Sequence, residues 1–152
     1  MRLRVIGAAL IPLIVSAFHN QTAQQATIED TGSTNIPGMK LTVNSAGLAE
    51  VRQRGAAAQK LNIEPQIANR LFEDLKAIGS LNALPRTHCM KSVSFGSSLY
   101  VQFNGEQSPD LNCPTTPDSK LAMLQKDVRE LMRVARASIG TGTHSPAGRA
   151  TQ

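Results

Sequence analysis

The chain of 152 residues contains no tryptophan, one tyrosine and four phenylalanines. Recognition of nucleic acid by base stacking needs aromatic faces on an exposed surface. Here Phe95 and Phe103 fall on the apolar side of a strand pattern, so the scarcity argues against a nucleic-acid partner. Histidine is as sparse: His19, His88 and His144 lie far apart in the chain. A metal site needs three or four His, Cys or carboxylate ligands at usable spacing, and no such set is present. Nor is there a P-loop, a G-x-S-x-G elbow, a G-x-G-x-x-G turn or a paired-carboxylate motif. No catalytic residue and no cofactor are therefore expected. Long apolar runs are missing too. The longest, Val5 to Val15, covers about eleven residues, where a spanning helix needs roughly twenty.

That short run has a different use. Arg2 and Arg4 precede it, Pro12 interrupts it, and Val15 and Ala17 fit the small-residue positions of a signal-peptidase site. This is the layout of a secretory signal peptide over residues 1–17, with Ala23 and Ala26 as further small residues near the cleavage region. Export to a periplasm or beyond the cell is the expectation. Cleavage would remove Arg2 and Arg4 and lower the formal charge from +5 to +3, which leaves a mildly basic chain. Compartment then decides how the two cysteines read. In an oxidising environment Cys89 and Cys113 form one disulfide, and with only two the pairing is forced. The adjacent pair His88-Cys89 does not suggest a thiol catalyst, because neighbours in an extended segment point to opposite sides.

Residues 18–37 are polar and lack an apolar period, so they read as a flexible leader. Residues 139–152 read as a disordered tail. Between them, residues 38–138 form one domain. Met39, Leu41 and Val43 alternate with polar residues and predict a half-buried strand. A turn at residues 44–47 leads to a second strand from Leu48 to Arg54, and residues 55–59 form a small-residue loop. Ile67, Leu71, Leu75 and Ile78 recur at helical spacing, predicting a helix over 64–80 with Asn62 as a cap and Pro65 in its first turn. Val93, Phe95, Leu99, Val101 and Phe103 share one parity and predict a strand over 91–103, interrupted at Gly96. Asn104-Gly105 is a hairpin signal that returns the chain along 106–111, with Pro109 confining that partner to an edge. A last helix follows Thr116-Pro117, with Leu121, Leu124, Val128, Leu131 and Ala135 as its apolar stripe. The expected fold is α+β, two-layer, an antiparallel sheet with two helices on one face in the order ββαββα.

Two surfaces stand out as candidate sites. Tyr100, Asn104, Gly105, Pro109 and Asp110 belong to a hairpin and loop that end in a cysteine, and disulfide-fixed loops are common recognition surfaces. Lys126, Arg129, Arg133 and Arg136 form a second stripe on the last helix, a possible basic patch for an anionic surface. Asp127 and Glu130 interleave with it.

The layout resembles that of the emfourin-type inhibitors of thermolysin-like metalloproteases. The corresponding text is Leu71 and Leu75 in the first helix, residues 100–105 in the strand and turn, and Leu121 to Leu131 in the closing helix. The cysteines and the signal segment depart from that pattern, and no inhibitory residue carries over. The resemblance implies a secreted or periplasmic protease inhibitor. The residues themselves suggest an exported, non-catalytic module that binds an unknown protein or an anionic surface. A small hydrolase or thiol enzyme with a dispersed site is the third reading.

Overall fold

Ala26 and Ile28 alternate with Gln25, Thr27 and Glu29, and every second residue of this stretch is buried. In the structure, a computed structural model that describes residues 23–117 and 119–141, this segment is the first strand, β1 (Gln25–Asp30). The flexible leader expected over 18–37 is thus corrected: β1 sits inside it and is central to the sheet. Only two apolar side chains mark it, and its third inward position is Asp30. That carboxylate is 7% exposed and is held by an ion pair with Arg136. A buried charge is tolerated when paired, and an acid inside a strand hides its period.

The chain continues through β2 (Met39–Asn44), β3 (Leu48–Gln53) and β4 (Gln59–Asn62). The first two strands follow the predicted alternation, whereas β4 begins within the segment read as a loop. The helix α1 (Pro65–Ile78) comes next, with Pro65 in its first turn as expected. Its N-cap is Glu64 and not Asn62, and the cap makes no side-chain hydrogen bond. A single 3-10 turn, Leu81–Ala83, then leads into a long connection. The hairpin strands β5 (Leu99–Phe103) and β6 (Glu106–Gln107) and the helix α2 (Lys120–Thr141) complete the described part of the chain. Ser119 caps α2, its Oγ accepting the Ala122 N–H at 3.1 Å, so the cap lies beyond the predicted Thr116-Pro117. The helix also runs past residue 138, into the segment expected to be a tail.

All six strands form one antiparallel sheet in the order β4-β3-β2-β1-β5-β6. The α+β class and the antiparallel pairing are as expected, but among the described residues four strands precede α1, so their element order is ββββαββα and not ββαββα. Central β1 joins the two halves. Ile28 lies opposite Leu41 on one side and Val101 on the other, and all three are fully buried. They share one core cluster with Leu71 and Leu75 of α1 and Leu124, Val128 and Leu131 of α2. Phe72 meets Phe103 edge-on, ring centres 5.9 Å apart, and so ties α1 to β5.

The hairpin shows why β6 is short. Asn104 and Gly105 both have positive φ, 51° and 79°, as a tight two-residue hairpin turn requires. Pairing is regular as far as Phe103–Glu106 and Gln102–Gln107. Beyond it main-chain bonds continue, from the Ser108 N–H to the Val101 carbonyl at 2.9 Å and from the Leu111 N–H to the Leu99 carbonyl at 2.7 Å, but the return acceptors are side chains. Val101 N–H donates to Ser108 Oγ at 3.0 Å, and Leu99 N–H to Asp110 Oδ1 at 3.1 Å. Serine and aspartate oxygens thus stand in for the carbonyl acceptors of a regular partner strand, while Pro109, with no N–H, donates nothing to the ladder.

Candidate functional site

The connection from the 3-10 turn to β5 is the least regular part of the described chain, and it is braced from four directions. Cys89 and Cys113 form a disulfide with Cα atoms 5.5 Å apart, tying the connection after α1 to the one before α2. Two residues on, Lys91 Nζ ion-pairs with Asp110 and donates to the carbonyl of Ser97 at 2.6 Å and to Ser98 Oγ at 3.1 Å. The Gly96 N–H closes a turn onto the Ser92 carbonyl at 2.7 Å. A side chain on Gly96 would start 2.5 Å from that same oxygen, so the turn requires glycine. From across the sheet end, Ser33 Oγ donates to the Ser94 carbonyl at 2.9 Å and Thr34 Oγ1 to that of Val93 at 3.3 Å.

This bracing overturns the long strand expected over 91–103: only residues 99–103 are in β5. Val93 and Phe95, expected on its buried side, are 87% and 66% exposed, and Met90 is fully exposed. The alternation is real, but serines and Gly96 turn the chain before it reaches a partner strand. Ile36, on the neighbouring loop, is also exposed. Four apolar side chains are therefore displayed on two loops that hydrogen-bond to each other.

The predicted recognition surface is not brought together as one patch. Asn104 and Gly105 form the exposed hairpin tip, whereas Tyr100 is half-buried on β5 opposite Glu29. Pro109 is buried. Asp110 is an internal brace: burial raises its pKa, but hydrogen bonds from Lys91, Ser98 and the N–H groups of Asn112 and Leu99 outweigh burial and hold it below the usual carboxylate range. Glu106, which the sequence did not single out, is likewise held low. It accepts from Ser80 Oγ and from the N–H groups of Leu81 and Asn82, so it caps the 3-10 turn from another strand.

The basic stripe divides. Arg129, Arg133 and Arg136 line a groove of about 380 Å³ together with Asp30, Ile36, Ser97, Leu99, Asn112 and Met132. Arg136 pairs with Asp30, and Arg129 donates to the Leu111 carbonyl at 3.0 Å. Lys126 lies elsewhere, at a cleft on the α1–α2 seam with Arg70, Glu73, Asp74, Asp127 and Glu130. There Arg70 bridges Glu130 at 2.7 Å and Asp127 at 3.5 Å. Asp74 Oδ2 is buried and has no hydrogen-bond partner among the described residues. Burial first, then Asp127, raises the Asp74 pKa to about 6.

Among the described residues, no helix is long and apolar enough to cross a membrane, and no group of three or more His, Cys, Asp or Glu is placed to hold a metal ion. The segment read as a signal peptide, residues 1–17, lies outside the described residues, as do His19 and His144. No family model matches this chain, and a search of curated proteins finds no match either.

Proposed function

We propose that this chain is an exported, non-catalytic, two-layer α+β module that acts by pressing a preformed surface against a larger partner. The observation that supports it is the display of Met90, Val93 and Phe95 on a connection fixed by a disulfide, an ion pair and cross-loop hydrogen bonds. Exposed apolar side chains grouped together and rimmed by polar residues mark contact sites. Bracing removes the entropic cost of ordering such a loop on binding. In an exported protein the disulfide also fits an oxidising compartment. The test is capture from the cell envelope, soluble and membrane fractions alike, with the wild-type chain and a Val93→Ser/Phe95→Ser variant as baits. A partner retained by the wild type and lost by the variant is the expected result. Identical capture by both would refute the assignment of this face.

The protease-inhibitor reading draws on the same loop, since a blocking segment gains from being rigid before it binds. It predicts that near-stoichiometric amounts of the chain slow a secreted metalloprotease, and that the Val93→Ser/Phe95→Ser variant does not. Unchanged proteolysis at excess protein would remove it.

A further inference from the structure

We propose that the partner is a lipid bilayer rich in anionic headgroups, bound by the apolar tips and the arginine groove together. The inference rests on the contact-face reading above and names its target. Three observations favour a bilayer. First, Val93 and Phe95 sit in a turn, Met90 shortly precedes it, and all three side chains are exposed. Separate projecting tips can enter a soft interface at once, whereas a folded protein must offer a matching pocket for each.

Second, the charge beside the tips is basic. Ile36 stands on the wall of the groove that Arg129, Arg133 and Arg136 line, and its loop bonds to the one carrying Val93 and Ser94. The Arg133 side chain has no ion pair or hydrogen bond among the described residues, and the side-chain bond of Arg129 is to a carbonyl, which leaves its charge uncompensated. Arg136 and Lys91 are neutralised by Asp30 and Asp110, so they add little. Third, exposed Arg86 and His88 precede Met90 on the same connection. Apolar tips that insert, flanked by arginines that meet phosphate, are the two components of reversible binding to an anionic interface. The acidic seam at Asp74, Asp127 and Glu130 lies on residues of a separate cleft, which would set the orientation of the molecule on a negative surface.

The test is co-sedimentation of the full chain, disulfide intact and N-terminus as the cell leaves it, with phosphatidylcholine vesicles with and without phosphatidylglycerol. Binding to the anionic vesicles, weak binding to the neutral ones, and release at about 1 M salt, where the screening length is about 3 Å, are expected. The Val93→Ser/Phe95→Ser variant should bind at least tenfold more weakly, since burying one such side chain is worth roughly tenfold. Arg133→Glu should weaken binding by roughly fivefold or more, the share of one basic contact. Residues 1–17 are the same in every variant, so these differences belong to the face. Matching thermal melts would show that the variants fold. Absence of binding to anionic vesicles, or binding that none of these substitutions changes, would overturn the proposal. If the vesicles fail while envelope capture still depends on Val93 and Phe95, the bilayer is wrong and the contact face stands. If both fail, both readings fall.

Discussion

Asp74→Asn should make this protein more stable at neutral pH and leave it nearly unchanged in acid. Asp74 faces α2 from α1, in a cleft with Arg70, Glu73, Lys126, Asp127 and Glu130. Its pKa rises from 3.8 to about 6, through burial first, then the charge of Asp127 and that of Glu73, with Arg70 opposing. The sign follows from proton counts. Below pH 3.8 the carboxyl is protonated in both the folded and the unfolded chain, and no penalty arises. Between 3.8 and about 6 the unfolded chain has released its proton and the folded one holds it, so folded stability falls as pH rises. Above that window the whole penalty is present. A shift of about two units corresponds to at most about 3 kcal/mol. Solvent reaches part of this side chain and screens it, which reduces the value to about 1–2 kcal/mol. Asparagine keeps the shape without the charge. Urea denaturation at about pH 3 and at pH 8 should therefore give nearly equal midpoints for the two proteins in acid and a higher one for Asp74→Asn at pH 8. A variant no more stable than wild type at pH 8 would refute the reasoning.

Other consequences are as direct. Ile28→Ala should cost about 2–5 kcal/mol, the usual range for emptying a fully buried aliphatic site; a cost near zero in a denaturant titration would mean that residues 25–30 are not a strand. Replacing both Cys89 and Cys113 by serine should cost about 3.5 kcal/mol, from the chain entropy of a closed loop of about 25 residues, and an unchanged denaturation midpoint would exclude a structural bridge. Asp110→Asn should speed hydrogen exchange at the Leu99 and Asn112 amides, which both donate to that carboxylate; because its pKa is held low, the same loosening should appear in wild type only as pH falls through that lowered value. Exchange at these two amides that is identical in both proteins would count against the bracing role.

Strand β1 and the exposed loop show where reading the chain alone succeeds and fails. Helices α1 and α2 could be read because their apolar residues recur locally, within one or two turns, whatever the rest of the molecule does. The Asn104-Gly105 turn was legible for the same reason, its positive φ values being a property of those two residues. The strand β1 was not, because the position that completes its inward row is Asp30, and only Arg136, 106 residues later, makes an acid acceptable there. Val93 and Phe95 failed in the opposite sense. Their alternation with serine is that of a half-buried strand, yet among the described residues no strand pairs with them. The candidate patch at Pro109 and Asp110 was misjudged because a polar loop can be consumed internally, here in completing the edge of β5.

By itself, then, the sequence determined the two amphipathic helices, the hairpin turn, the pairing of the two cysteines and the α+β class, since each follows from short-range periodicity, from backbone preference or from a count that allows one answer. Tertiary structure alone decided that a polar segment supplies the central strand, that two carboxylates meet across the helix seam, and that apolar side chains on a braced loop are left facing solvent. These depend on which distant groups come to lie opposite one another, and burial, pairing and exposure are properties of that juxtaposition, which no stretch of neighbouring residues encodes.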